Sequence, residues 1–210
     1  MKINEMFPLI YCINLKNRPD RWDKVQKEFK KIGIISERFD AIENKENPVY
    51  GCSESHIEIL THAEKQNKNV LIFEDDVEFI NVNNNEIEKA VQELSKTEWE
   101  IFFLGGNILR PAFQISKHLA RLSQCYSAHA YGINANFITF LKDAAIKKRN
   151  YPIDVIYGDL IVPNIRAYIT IPMFAIQSSG YSNIEKREMD YSVPMQRYEH
   201  FVIKDPKFAP

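Results

Sequence analysis

The sequence predicts an α/β fold, a mostly parallel central sheet flanked by helices, and three observations carry that expectation. Val70-Leu71-Ile72-Phe73 is a short apolar run rich in β-branched types, set between Asn67-Lys68-Asn69 and Glu74-Asp75-Asp76, the pattern of a strand buried on both faces. Leu9 to Leu15 is a second such run, and an amphipathic stretch joins it to a third at Ile34 to Phe39, which makes a βαβ unit. Strand-length and helix-length segments then alternate across residues 7–146, the order that places a class in α/β.

Taken in order, Leu9 to Leu15 is a central strand whose polar exception is Asn14. Pro19 suits a first helical position and Asp20 the positive end of the helix dipole. Trp22, Val25, Phe29 and Ile32 form one apolar stripe that ends at Gly33. Asp40 closes the next strand, and the polar residues from Asn44 to Val49 predict a loop. Ser53 is expected to cap a helix with Ile57, Leu60 and Ala63 on its inner face, which places Ser55 and His56 in its first turn. After the acidic run, Asn81 to Asn85 predicts a loop, and Ile87, Val91 and Leu94 share a helix face. Trp99 to Leu104 is a strand stopped at Gly105-Gly106, and residues 108–122 lack periodicity and are expected to be irregular. Cys125 to Ile133 predicts one strand, and Asn134 caps a helix over Phe137 to Ile146. Tyr151 to Asp159 predicts a Pro-started apolar turn, Tyr168 to Ile171 a final strand, Gln177 to Gly180 a turn, and the polar residues from Tyr181 onward a surface tail.

Composition narrows the function classes. With 45% apolar residues in 210, the chain can bury a full core in one domain over 1–180, with 181–210 as a tail. The 27 basic and 28 acidic residues nearly cancel, so no global field draws it to nucleic acid or an anionic membrane. Cys12, Cys52 and Cys125 are scattered and odd in number, which argues against a disulfide framework and for a reducing, cytoplasmic setting. Lys2 and Glu5 interrupt the start, and no run of about 18 apolar residues occurs, so neither a signal peptide nor a membrane span is expected. No internal repeat is visible.

The chemistry is expected at the C-terminal edge of the Val70 strand, since ligands bind outside the carboxyl ends of strands in open α/β sheets. Three adjacent carboxylates repel unless positive charge sits between them, and Mg²⁺ or Mn²⁺ takes carboxylate oxygens together with substrate phosphates. The residues admit two readings, a metal–diphosphate site or a loop start whose acids cap the next helix or pair with Lys and Arg. Arg18 and Arg21 either meet a nucleotide's phosphates or form a solvated helix start. The GxGxxG turn of dinucleotide-binding folds is missing from the first βα junction. Asp154 and Asp159, five residues apart, both offer a general base.

Taken together, Tyr11-Cys12-Ile13-Asn14-Leu15-Lys16-Asn17-Arg18-Pro19-Asp20-Arg21, Arg38-Phe39-Asp40-Ala41-Ile42, Gly51-Cys52-Ser53-Glu54-Ser55-His56 and Val70 to Val77 resemble glycosyltransferase family 25. The resemblance continues through Trp99 to Gly105, Ala128-His129-Ala130-Tyr131, Pro152-Ile153-Asp154-Val155, Gln177 and Ser182-Asn183-Ile184-Glu185. That family includes lipooligosaccharide biosynthesis enzymes and procollagen galactosyltransferases. The resemblance implies a GT-A-type nucleotide-sugar transferase fold and inverting transfer of a hexose, galactose or glucose, from a UDP-sugar to a hydroxyl of a glycan, lipooligosaccharide or hydroxylysine-type acceptor. It further implies that Glu74, Asp76 and His129 hold Mn²⁺ or Mg²⁺, and that Asn14, Arg18, Arg21, Asp40, Ser55, His56 and Asp75 hold the donor. Asp154 matches the family's Pro-hydrophobic-Asp element and is the candidate base, with Asp159 the runner-up. His129 reads equally as a buried, hydrogen-bonded strand histidine. Asn183 stands where the family often has Asp, a departure that bears on any charge role there. Two other classes compete: a binding module that keeps the scaffold without turnover, and a metal-dependent phosphohydrolase, for which no phosphoryl-accepting nucleophile motif is present.

Overall fold

The computed structural model describes residues 1–80, 82–160, 165–182, 187–190, 195 and 197–208. The expected α/β class is observed. A short helix α1 (Ile3–Met6) leads into β1 (Leu9–Asn14), α2 (Pro19–Ile32) and β2 (Glu37–Asp40). Then come α3 (Pro48–Gln66), β3 (Val70–Glu74), β4 (Val77–Phe79) and α4 (Asn84–Leu94). The middle of the chain supplies β5 (Ile101–Phe103), β6 (Asn107–Ile108), β7 (Ala112–Gln114), β8 (Leu119–Arg121), β9 (Cys125–Tyr126) and β10 (Ala130–Ile133). After α5 (Ile138–Lys147) and α6 (Ile153–Leu160) follow β11 (Ala167–Thr170), β12 (Ala175–Gln177), β13 (Gly180–Ser182), β14 (Arg187–Met189) and β15 (Val202–Ile203).

Among the described residues, nine strands form the central sheet in the order β15-β7-β8-β11-β5-β10-β3-β1-β2. It is mostly parallel in sense, since only β8 and β10 run against the other strands. β3 shows why the apolar runs are continuous. Val70 and Ile72 enter the core layer built from Ile57, Leu60 and Ala63 of α3, Leu141 of α5 and Tyr157 of α6. Leu71 and Phe73 point the other way, into the layer of Val25, Phe29 and Ile32 of α2 and Ile87, Val91 and Leu94 of α4. With helices on both faces, each residue from Val70 to Phe73 needs an apolar side chain, and the polar Glu74 comes only at the strand's end.

Local signals account for most of the boundaries. Pro19 opens α2, and Gly33 ends it at φ +67°, a left-handed conformation that costs glycine little. Gly105 permits the close approach of β5's end to β12, because a Cβ there would lie 1.7 Å from the Ala175 carbonyl oxygen.

Several expectations are corrected. α3 starts at Pro48 with Asn47 as its cap, so Ser53 is not the cap; its buried hydroxyl donates to the Tyr151 carbonyl. Ser55 and His56 therefore lie in the body of α3, where the backbone N–H groups are already used. Residues 108–122 contain β7 and β8, paired as an antiparallel hairpin one strand in from the sheet edge, where single apolar positions rather than a repeating stripe meet the core. The expected single strand over 125–133 is two, β9 and β10, broken at Ser127, whose φ is +91°. The expected turn at 151–159 is α6, with Ile153, Ile156 and Tyr157 buried. Gln177 ends β12 and Gly180 begins β13, so Ala167–Thr170 is not the final strand. The C-terminal segment is more than surface: β15 pairs with β7 at the rim of the central sheet, and Met195 and Val202 are buried in the core. Asn183, Ile184 and Glu185, and Asn81 of the loop expected before α4, lie outside the described residues. Among the described residues no helix is long and apolar enough to cross a membrane.

Candidate active site

The sheet order fixes where a site can form. The chain leaves β1 for β2 on one side and returns to β3 on the other, so the carboxyl ends of β1 and β3 flank a topological switch point. α2 and α3 diverge to opposite faces there and leave a cleft of about 630 Å³. It is lined by Arg18 just before α2, by Arg21 and Lys24 from α2, by Cys52, Ser55 and His56 from α3, by the Glu74-Asp75-Asp76 run, and by Gln177 to Gly180.

The three acids are held in three different ways. Asp75 is tied down completely: one oxygen accepts from Asn14 Nδ2 at 2.7 Å and the other from Arg21 at 2.9 Å. Asn14 Nδ2 also donates to the Arg18 carbonyl, at 3.0 Å, which clamps the β1–α2 junction to the acidic turn. Asp76 is half satisfied. Its Oδ2 accepts from Gln177 Nε2 at 2.9 Å and its backbone carbonyl from the Ser178 N–H at 2.8 Å, whereas Oδ1 is buried with no hydrogen-bond partner among the described residues. Glu74 Oε1 faces His56 Nε2 at 3.2 Å.

Burial sets the protonation of the last pair. It pushes Glu74 up to about 8, helped by the charges of Asp154 and Asp75 and opposed by Arg21. It pulls the wholly buried His56 down to about 3, opposed by Asp154. At neutral pH the shared proton therefore sits on Glu74, which donates to a neutral imidazole, and the contact is a hydrogen bond rather than an ion pair. The other ring nitrogen then carries the hydrogen toward the Tyr131 hydroxyl at 2.7 Å, and Tyr131 meets the Tyr157 hydroxyl at 2.8 Å. Asp76 is likewise raised, to about 7, by burial first and then by Glu74 and Asp75, against the Gln177 hydrogen bond and Arg21.

Of the residues singled out from sequence, Arg18, Arg21, Ser55, His56, Glu74, Asp75 and Asp76 line this cleft, and Asn14 lies directly behind Asp75. Ser55 is wholly buried. Its hydroxyl accepts from the Ile42 N–H and donates to the Gly51 carbonyl, so it braces the loop after β2 against α3. Arg18 forms a surface ion pair with Asp20. Asp40, Asn14's register partner at the end of β2, pairs with Arg38, whose guanidinium lies over the Trp22 ring at 5.6 Å. His129 sits beneath the rim. Its backbone carbonyl accepts from Glu74 N, its Nδ1 meets the Ser127 hydroxyl at 2.7 Å, and its buried Nε2 makes no well-formed hydrogen bond. Burial lowers His129 to about 4, opposed by the Ala175 backbone. Asp154, at the start of α6, accepts from the Ser127 and Val155 N–H groups, and Asp159 at the other end faces Lys148 at 3.9 Å and is half exposed. Asp40, His129, Asp154 and Asp159 do not line the cleft.

The structure adds two residues that sequence reasoning left without a role. Gln177 links Asp76 to Ser127, and Cys52 joins His56 and Glu74 on the cleft wall. Gln177 lay within a recognised motif, but only the pairing of β12 with β4 shows that it faces Asp76.

No protein-family model matches the chain. It is 27% identical over 178 residues to a Drosophila melanogaster protein described as a glycosyltransferase 25 family member, an alignment covering 69% of this chain and 29% of that protein. The chain thus spans under a third of that relative's length. Among solved structures, A197 from STIV aligns with a TM-score of 0.49 at 12% identity, over 86% of this chain and 92% of that one. A mannose-1-phosphate geranyltransferase from Thermus thermophilus gives a TM-score of 0.39 at 9% identity, over 76% and 58%. At the level of sequence the chain is glycosyltransferase-like.

Proposed function

We infer that this chain is a metal-assisted glycosyltransferase of the GT-A type, moving a hexose from a UDP-sugar to a hydroxyl-bearing acceptor. The observation that carries the reading is Asp76 at the floor of the cleft, its Oδ1 buried without a partner among the described residues and its carboxyl raised beside two further acids. A buried oxygen without a partner is costly, and a bound cation would satisfy it. The donor set is oxygen-rich, as Mg²⁺ or Mn²⁺ requires, and Asp76 with Glu74 would hold the ion; His129 is the further candidate ligand. When bound, such an ion supplies positive charge where a leaving diphosphate gains negative charge.

The chain's own residues do the rest. Arg18, Arg21 and Lys24 line the same cleft and bring positive charge to it, which suits a diphosphate. Asn14 and Arg21 hold the acidic turn by fixing Asp75, so Asp76 does not have to be ordered when donor binds. The volume, about 630 Å³, falls within the range for cofactor-sized ligands. Asp154 remains the candidate for the group that takes the acceptor's proton, with Asp159 the runner-up; neither lines the cleft, and Asp154 is the one whose charge acts on Glu74 and His56.

A panel of nucleotide sugars, assayed for nucleoside diphosphate release with Mn²⁺ and then with chelator, tests the reading. Chelator-sensitive release from one UDP-sugar is expected, and Asp76→Asn should lower it at least about a hundredfold with the fold intact, the scale of losing a charge-stabilising group. Asp154→Asn should preserve donor binding and reduce transfer to acceptor. Donor binding without turnover would favour a binding module, and phosphate release from simple esters a phosphohydrolase.

A further inference from the structure

Cys52 and His56 are four residues apart on α3 and so share one face. That face meets Glu74 at the end of β3, and the Cys52 thiol, a His56 ring nitrogen and a Glu74 carboxylate oxygen all lie within 4.8 Å of one another. One sulfur, one imidazole and one carboxylate form a donor set different from the oxygen donors around Asp76. It is the set that zinc favours, and three protein ligands with a side open to solvent is the pattern of an accessible zinc position. Tetrahedral coordination needs ligand atoms about 3.3–3.6 Å apart. His56 Nε2 and Glu74 Oε1 are already 3.2 Å apart, and the Cys52 thiol lies within 4.8 Å of the other ligand atoms.

The surroundings match a metal-binding histidine in a second respect. His56 Nδ1 is engaged by Tyr131, and Tyr131 by Tyr157, which fixes the ring so that the Nε2 lone pair points at Glu74. An outer partner on the far nitrogen is the usual support of a histidine ligand. Glu74 retains 23% side-chain exposure and Cys52 lines the cleft, so an ion can enter and a water or anion can take the fourth position.

We propose that Cys52, His56 and Glu74 form a binding site for a thiophilic divalent cation, zinc in the first instance, on the wall of the cleft. The site is separate from the oxygen donors at Asp76 but shares Glu74 with them, so zinc there opposes a hard cation at Asp76. The inference concerns metal binding alone and stands apart from sugar transfer.

The test titrates the metal-free full chain with Co²⁺, a spectroscopic stand-in for zinc. One equivalent should produce a thiolate-to-cobalt charge-transfer band and intense tetrahedral visible bands, and one equivalent of Zn²⁺ should bleach them. Cys52→Ser, nearly isosteric, should abolish the charge-transfer band, whereas Cys12→Ser and Cys125→Ser should retain it. Tyr131→Phe should keep the band but weaken zinc binding about tenfold, the usual cost of losing an outer partner. Absence of the band in the wild-type chain, or its survival in Cys52→Ser, overturns the proposal. Asp76→Asn should retain the band while losing metal-dependent release of nucleoside diphosphate, so the two readings fail separately.

Discussion

Asp76 and Glu74 carry opposite requirements in the metal-free chain and in the loaded one. Burial raises Glu74 from 4.5 to about 8 and Asp76 from 3.8 to about 7, so the folded chain holds these protons more tightly than the unfolded chain does. Their contribution to stability is therefore full below the unfolded values and is lost as pH rises through the folded ones. Metal-free protein should melt at a lower temperature at pH 8.5 than at pH 6, and Mn²⁺ should remove most of that difference, because an ion replaces the protons. Differential scanning calorimetry at the two pH values checks this; a thermal midpoint that rises with pH in chelator would contradict it. Asp76→Asn should flatten the metal-free profile as well as lower turnover. At the same scale, Asp75 shows that neighbouring acids are not equivalent, since Asn14 and Arg21 each engage one of its oxygens and hold it in place on the cleft wall. No property of the tripeptide Glu74-Asp75-Asp76 read alone separates those roles.

Among the elements, α4 is joined to the β7–β8 hairpin through one histidine. His118, buried between the two strands, directs Nδ1 to Glu93 at 2.6 Å and Nε2 to Glu86 at 3.1 Å, and Glu93 also accepts from the His118 N–H and the Ser116 hydroxyl. Burial alone would raise Glu93, but the hydrogen bonds from Ser116 and His118 outweigh it and hold the carboxyl below 4.5. This contribution is present above the unfolded value and lost as pH falls through the folded one. Glu93→Gln should cost about 1–3 kcal/mol at pH 7, since the buried His118 loses a charged partner, and the difference from wild type should narrow in acid. Urea denaturation at pH 7 and pH 4 measures both. The helices themselves were readable from sequence. Val25, Phe29 and Ile32, and Ile87, Val91 and Leu94, recur at helical spacing and are buried as the spacing requires. The start of α3 was not: Pro48 and Asn47 both signal a start, and Ser53 six residues later offered an equally plausible cap that tertiary burial turned to the Tyr151 carbonyl.

Across the whole molecule the C-terminal segment is part of the fold. β15 closes the far rim of the sheet beside β7, and Met195 and Val202 enter the same core layer as α3 and α5. Truncation after Asp190 should therefore cost about 2–5 kcal/mol, the scale of deleting one large buried side chain, although the cleft residues through Ser182 remain. Chemical denaturation of the truncated chain measures the loss, and stability equal to the full chain would contradict it. The polar composition beyond Tyr181 hides this role, because Met195 and Val202, buried among the described residues, leave no periodic signal in a polar stretch.

What the sequence determined by itself is the α/β class, the βαβ opening and the acidic edge at the end of β3. Continuous apolar runs and helical stripes are one-dimensional records of burial on two faces or on one, so they can be read without coordinates. The tertiary structure alone decided which acid is tied down and which keeps an unpartnered oxygen, that Gln177 reaches Asp76 across about a hundred residues, and that Cys52 faces Glu74. Those facts depend on which side chains meet once β1, β3, α3 and β12 converge, and contacts between distant residues leave no periodic trace in a single chain.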